Sequence, residues 1–105
     1  MAQAAERPHK STSHQEMFFH IFFDPSATAR GYKGATLFCR REHKITGSPW
    51  YFSTAYCAST DQFNRAIGRS QARRHYFQGY RYFAGSSKPS YEFLSQWALD
   101  EAQAG

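Results

Sequence analysis

The feature that most constrains the fold is residues 59–79, STDQFNRAIGRSQARRHYFQG, because apolar and basic residues recur there with the period of an α-helix. At about 100° per residue, the basic stripe carries Arg65, Arg69, Arg73 and Tyr76. The opposite stripe is apolar and carries Phe63, Ala66, Ile67, Ser70 and Phe77. Ser59 and Gln62 have the spacing of a capping box, which predicts where the helix begins. Gly68 weakens the helix by about 1 kcal/mol relative to Ala, which indicates either a close approach or plain tolerance.

The basic residues of this helix lack acidic neighbours in the sequence. Between Asp61 and Arg81 there is no acidic residue, whereas a solvated helix face usually mixes both signs. Residues 29–83 hold ten Lys and Arg residues against two acids, although the whole chain has 13 against eight. Arginines four positions apart are separated by about 6 Å of helix rise and can hold a row of phosphates or carboxylates. The pattern favours nucleic acid, an acidic protein surface or a phosphate-rich ligand as partner over a purely solubilising role.

The length of 105 residues predicts one domain. Residues 1–16 are polar and poor in large apolar groups, so we expect a disordered tail there and a single α+β domain over residues 17–105. Aromatic residues make up 18% of the chain, which predicts a core built mainly from Phe, Tyr and Trp. Because no segment has the length and hydrophobicity of a membrane helix or a signal peptide, a cytoplasmic location is expected. Cys39 and Cys57 are expected to be buried thiols.

Three segments have strand character, residues 17–23, 35–43 and 50–58. A Gly- and Pro-containing loop of about six residues separates the last two, which predicts a β-hairpin. Residues 80–83 fit a short edge strand or an extended connector, and residues 90–102 fit a final helix. The predicted fold is α+β, with an antiparallel sheet of three or four strands, two helices packed on one face, and the order β-β-β-α-(β)-α.

If both helices cover one face of the sheet, the other face stays open. Strand alternation would then expose Phe18, His20, Phe22, Phe38, Arg40, Phe52 and Tyr56. Rings interleaved with cations fit a platform on which unpaired bases stack. The same face also fits a subunit interface, as in a homodimer, or burial under the chain termini. The acids of the last helix, Glu92, Asp100 and Glu101, could cover part of the basic surface, although a core-packing role for that helix is favoured.

Catalytic and metal-binding patterns are weak in this sequence. No two carboxylates have the spacing of a shared acid/base site. Cys39 with His43, or Cys57 with His75, would pair a nucleophile with a base, but a cysteine on an aromatic strand is usually a core residue. A zinc site built from His20 and the same cysteines lacks short paired spacings, and no glycine-rich loop is followed by GK[ST]. The sequence predicts a protein that is not an enzyme and uses no cofactor or metal.

Residues 38–77, the hairpin and the basic helix, resemble a group of small phage-encoded proteins of uncertain function. In that group a strand ends in Cys, a short turn follows, and a helix opens D-x-F-x-R and continues with Gly-Arg, Ala and a further Arg. The matching positions here are Cys57, Asp61, Phe63, Arg65, Gly68, Arg69, Ala72 and Arg73 or Arg74. The resemblance implies a phage or mobile-element origin, and hence a location in the host cytoplasm. It implies no activity.

Two classes of function follow from these residues. In the first, the chain binds nucleic acid, with Arg65, Arg69 and Arg73 on backbone phosphates and Arg40, Arg41 and Tyr76 beside them. In the second, it is a host-directed inhibitor, for example in the anti-CRISPR manner, and its arginines engage an acidic patch or a nucleic-acid groove on a host protein complex.

Overall fold

Four strands and two α-helices make up the computed structural model, which describes residues 14–104. In chain order they are β1 (Gln15–Phe22), β2 (Tyr32–Arg41), β3 (Trp50–Ala58), α1 (Arg65–Phe77), β4 (Tyr82–Gly85) and α2 (Tyr91–Ala104). The strands form one antiparallel sheet in the order β1-β2-β3-β4. The predicted α+β class, the antiparallel sheet and the order of elements are confirmed. Within the described residues, neither helix has the length and hydrophobicity needed to cross a membrane.

The register of the first three strands fixes which side chains share a face. Phe18 of β1 lies opposite Phe38 of β2, which in turn lies opposite Ser53 of β3. Since side chains alternate along a strand, Cys39 and Phe52, which also lie opposite each other, belong to the other face. The predicted hairpin is therefore the β2–β3 pair, and both of its faces are buried.

Strand β1 begins two residues before the predicted position. It starts at Gln15 rather than Met17, so Glu16 is part of the sheet. A polar start is tolerated because β1 is an edge strand with one side in contact with water. His14 precedes the strand, and residues 1–13 of the predicted tail lie outside the described residues.

Helix α2 covers an apolar face of the sheet. Its Leu94 and Ala98 are fully buried, and the Trp97 ring meets the Phe52 ring edge to face with 4.8 Å between centroids. The hydroxyl of Tyr56 donates a hydrogen bond of 3.0 Å to the carbonyl oxygen of Ala98. The buried members of this cluster are Ile21, Ala35, Leu37, Cys39, Trp50, Phe52, Leu94 and Ala98. This cluster is the larger of the two apolar cores.

Helix α1 covers the opposite face through small residues. The Ser53 hydroxyl donates a 2.5 Å hydrogen bond to the carbonyl oxygen of Ala72, which is fully buried. A Cβ built on Gly68 would lie 2.3 Å from the Thr36 hydroxyl oxygen, so only glycine fits there. Gly68 therefore marks a close approach of the helix to the sheet.

The two helices lie on opposite faces, so the prediction that they share one face is wrong. Ser53 and Tyr56 lie three positions apart in β3, so their side chains point to opposite faces of the sheet. Ser53 donates a hydrogen bond to α1, whereas Tyr56 donates one to α2. The predicted open face does not exist, because α1 covers Phe38 while Phe52 and Tyr56 pack beneath α2. Both faces of the strands are apolar, so the sequence pattern could not show whether the two helices cover one face of the sheet or both.

Helix α1 begins five residues later than predicted. Asn64, rather than Ser59, caps it, because the Asn64 side-chain oxygen accepts the N–H of Ile67 at 3.0 Å. The N–H of Ser59 instead donates to the Gly31 carbonyl oxygen at 2.9 Å, which fixes the start of a turn. Residues 59–64 thus form a loop in front of the helix.

Cys39 and Cys57 are free thiols on opposite faces of the sheet. Cys57 lies opposite Gly34, whereas Cys39 lies five residues further along β2. Cys39 is fully buried, and burial raises its pKa to about 12. Cys57 is only half-buried, so the expectation of two buried thiols is confirmed for Cys39 alone.

Candidate functional site

One flank of α1 carries Arg65, Arg69 and Arg73, which we call the arginine row, and it faces β1. The Nη1 atom of Arg73 lies 2.8 Å from a carboxylate oxygen of Glu16 in β1. Burial lowers the pKa of His20, and repulsion from the guanidinium groups of Arg65 and Arg69 lowers it further. Arg65 and Arg69 share this flank of α1 with Arg73, so they also face β1. The structure brings together the three arginines that the sequence predicted to share a surface.

Glu16 pairs with the C-terminal end of the arginine row. It accepts hydrogen bonds from Arg73 and Arg40, and Arg40 also binds Glu42 with 2.8 Å between Nε and Oε2. The guanidinium groups of Arg40 and Arg73 lie 5.3 and 5.2 Å from the centre of the Phe77 ring. The expectation of an uncompensated row is therefore wrong at Arg73. The compensating carboxylate lies 57 positions away in a segment predicted to be tail.

Arg65 and Arg69 carry the free charge of the row. Neither guanidinium group has a carboxylate within 4.0 Å among residues 14–104, and both side chains are exposed. Glu92, Asp100 and Glu101 lie with α2 on the other face of the sheet, so they do not cover the basic surface, and α2 has the core-packing role that the sequence favoured. Within the arginine row, the unpaired charge is thus at the N-terminal half of α1.

Two predicted site residues do not belong to this surface. Tyr76 is 2% exposed and its ring meets Phe38 edge to face at 5.2 Å, so it is a core residue. Arg41 points to the α2 side of the sheet, where its guanidinium group lies 5.2 Å from the centre of the Trp50 ring and binds Gln15. Arg40 does lie on the α1 side, at the Glu16 end of the row.

Tyr76 was predicted to lie on the exposed basic stripe, but α1 is rotated about its axis relative to the predicted orientation. Its inward face carries Gly68 and Ala72, whose small size lets the backbone approach the sheet. Ile67 and Phe77, predicted to pack, are 56% and 53% exposed. Residue size at the contact, rather than hydrophobicity alone, therefore decided the inward face.

Aromatic rings lie beside the two free arginines. The Phe63 ring is 4.9 Å from that of Phe22 and 5.8 Å from the His20 ring, measured between centroids. Phe22 is 60% exposed, and the Nδ1 atom of His20 lies within 3.0 Å of the Thr36 hydroxyl oxygen. We call Phe22, His20, Phe63, Arg65 and Arg69 together the β1–α1 surface.

The sequence missed two residues of this region. Phe63 lies in the loop before α1, packs over Gly34 and so turns its ring toward β1, whereas the sequence placed it on the packing stripe of the helix. Glu16 was assigned to the tail. The hydrophobic run begins at Met17, whereas hydrogen bonding to β2 begins before it. No local pattern therefore predicted that Glu16 is part of the strand.

The chemistry available at the β1–α1 surface is that of cations beside rings. Within the described part of the chain, no group of three or more His, Cys, Asp or Glu residues is arranged to hold a metal ion. Guanidinium groups bind phosphates and carboxylates, and exposed rings stack on other flat groups. Comparison of the chain with protein-family models, with curated proteins and with solved structures gave no match.

Proposed function

We propose that this protein binds single-stranded nucleic acid across the β1–α1 surface. The observation that carries the proposal is the juxtaposition of Arg65 and Arg69, which have no carboxylate partner among the described residues, with the exposed ring of Phe22 and its neighbour Phe63. Arginines would hold the phosphates, and the rings would stack on bases. The excess of basic residues across the chain adds long-range attraction.

The geometry favours single strands over duplexes. The arginine row lies on the flank of α1 that faces β1, so its charge is presented beside the sheet rather than on the outward face that a recognition helix places in a major groove. The Phe22 ring can stack only on a base whose face is free, and bases in a duplex are already stacked on each other. Since phosphate contacts carry no sequence information, we expect low sequence specificity from this surface.

The test compares Arg69→Glu with Arg74→Glu. Both arginines are exposed on α1 and lack a carboxylate partner among residues 14–104, but Arg74 lies about 140° away around the helix, off the arginine row. Binding of a labelled single-stranded oligonucleotide is measured by fluorescence anisotropy at several salt concentrations. We expect Arg69→Glu to weaken binding by about tenfold or more at low salt and to flatten the salt dependence, because a phosphate contact is lost.

Arg74→Glu should weaken binding much less, through net charge alone. Equal losses in the two variants would show that binding depends on overall charge and would overturn the assignment to this surface. Absence of binding at low salt would reject nucleic acid as the ligand. A duplex of the same sequence should bind more weakly than the single strand.

A second candidate is a host-directed inhibitor that binds an acidic protein. The observation that favours it is the exposed Phe77 ring beneath the guanidinium groups of Arg40 and Arg73, since apolar rings with arginines are common at protein interfaces. A protein partner that stays bound after nuclease treatment, with no affinity for bare oligonucleotides, would support this candidate. Phe77→Ala should then weaken the complex, whereas it should leave oligonucleotide binding at Phe22 and Arg69 nearly unchanged.

A further inference from the structure

A pocket of about 190 Å³ opens beside the N-terminal end of α1. The loop of residues 59–64 and the first two turns of the helix form one wall, and β2 and β3 form the floor. Drug-sized ligands usually occupy about 300 to 1,000 Å³. The pocket therefore fits one ring system rather than a whole nucleotide.

The lining of the pocket mixes polar and apolar residues and includes no Lys or Arg. Its polar residues are Thr36, Asp61, Gln62, Asn64 and Gln71, and its apolar residues include Phe63, Ala55 and Ile67. A phosphate would meet no cation there and would be repelled by Asp61. A neutral, flat group with hydrogen-bond donors suits the pocket better.

The amides of the pocket are available for a ligand. Neither Gln62 nor Gln71 has a side-chain hydrogen bond to any other described residue, and Asn64 uses only its oxygen, for the helix cap. Amide side chains pair with base edges through two hydrogen bonds, and a carboxylate accepts from the exocyclic amino group of cytosine. The pocket thus presents the groups that read a base.

Phe63 connects the pocket to the β1–α1 surface. Its side chain lines the pocket and also contacts the rings of His20 and Phe22. Ile67 and Gln71 of the pocket lie about 120–160° around α1 from Arg65 and Arg69. A strand held by these arginines therefore reaches the mouth of the pocket by passing over Phe63 at the N-terminal end of the helix. A nucleotide next to those held by the arginines can then turn its base past Phe63 into the pocket.

We propose that the pocket receives a single unpaired base that carries an exocyclic amino group, such as cytosine, from a strand bound at the β1–α1 surface. The inference rests on the proposed function and adds to it a preference among bases. Cytosine and thymine are close in size, so they differ mainly in the group that they would present to Asp61 and Gln71.

The experiment measures binding of dC and dT oligonucleotides of about eight nucleotides, a length within the ~4–16 that one small fold covers. An oligonucleotide of equal length built from abasic residues has the same phosphates without bases. With the full chain, we expect dC to bind about fivefold or more tighter than dT, consistent with one base-specific contact pair. Gln71→Leu should remove this preference by lowering the affinity for dC to that for dT. Gln78→Leu, at an exposed position beyond the end of α1, is the matched control.

Alkylation of Cys57 gives a second readout of pocket occupancy. Cys57 lines the pocket, whereas Cys39 is fully buried and stays protonated, so iodoacetamide should modify Cys57 alone in the folded protein. Saturating dC should slow this modification severalfold, and the abasic oligonucleotide should not.

The outcomes separate the two proposals. Equal affinity for dC and dT, together with unprotected Cys57, overturns the base pocket but leaves binding by the β1–α1 surface in place. If no oligonucleotide binds at low salt, the abasic one included, both the proposed function and the base pocket are overturned. A preference for dC that survives Gln71→Leu and Asp61→Asn also overturns the pocket, because the preference then arises elsewhere.

Discussion

The two faces of the sheet are covered by helices of 13 and 14 residues, yet they bury different chemistry. Under α2, large apolar side chains such as Leu94 and Phe52 interlock, and the buried cluster contains no charged group. Under α1, contact is made through Gly68, Ala72 and the hydroxyl of Ser53. The α2 face thus buries more apolar volume, whereas the α1 face brings a charged helix close to the sheet.

This difference separates stability from binding. Because α1 packs through small residues, its flanks lie near the sheet surface, and the arginine row lies beside Phe22 and His20 of β1. A helix that packed through large residues would lift its arginines away from the strand. We therefore expect substitutions on the α2 face to change the free energy of unfolding, and those at the rim of the α1 face to change binding.

The largest effect is expected from Leu94→Ala. Leu94 is fully buried in the α2 face, so the substitution removes apolar contacts and leaves a cavity, at a cost of about 2 to 5 kcal/mol in the free energy of unfolding. Phe77→Ala, at a 53% exposed position of α1, is the control and should cost less than about 1 kcal/mol. Urea unfolding measures both. Equal losses would contradict the division between the faces.

Gly68→Ala tests the close approach of α1. The new methyl group would meet the buried Thr36 hydroxyl, which is held by His20, and should cost a net 1 to 3 kcal/mol or so although alanine favours the helix by about 1 kcal/mol. Combining it with Thr36→Ala should recover part of the loss. Ser70→Ala, at an exposed position of α1, should be neutral or slightly stabilising. Stabilisation by Gly68→Ala would show that the helix is not held at this distance.

Glu16→Gln tests whether Glu16 limits the arginine row. The change frees Arg73 and removes one partner of Arg40, so it should destabilise the fold by only about 1 kcal/mol or less, since the pairs are partly exposed. Oligonucleotide affinity should rise a few-fold and its salt dependence should steepen by about one phosphate contact. Glu42→Gln, which removes the outer partner of Arg40, should leave affinity closer to that of the unchanged protein. Lower affinity in Glu16→Gln would show that Glu16 positions Arg73 for binding instead.

The smallest effect on stability is expected from the titration of His20. Burial and the charges of Arg65 and Arg69 lower its pKa below the ordinary value of 6.5, so the unfolded chain binds the proton more tightly than the folded one. Stability is therefore complete above about pH 6.5 and falls as the pH drops through the lowered pKa of the folded state. His20→Gln should reduce the pH dependence in this window.

Phosphates bound at the β1–α1 surface should partly reverse the lowering of the His20 pKa. They offset the charges of Arg65 and Arg69, so the pKa of His20 should rise when an oligonucleotide binds, as measured by NMR titration of the imidazole. An unchanged pKa on binding would place the strand away from the β1–α1 surface.

Local periodicity in the sequence predicted most of the secondary structure. The alternation of residues 50–58 matches β3 at both ends, and the helical spacing of Arg65, Arg69 and Arg73 keeps them on one flank whichever way α1 is rotated. Both results follow from backbone geometry, which depends only on near neighbours. For the same reason the sequence could not assign Tyr76 to the core, since its inward position depends on Gly68 fitting against Thr36.

The sequence by itself determined a basic helix, an aromatic hairpin and the spacing of three arginines. Only the tertiary structure decided which apolar face each helix covers, which arginine is paired and where Phe63 turns. The pairing of Arg73 with Glu16 joins residues 57 positions apart, and no local pattern encodes it. Such long-range contacts depend on which of several surfaces of similar hydrophobicity pack together, and only the packing of the whole chain determines this.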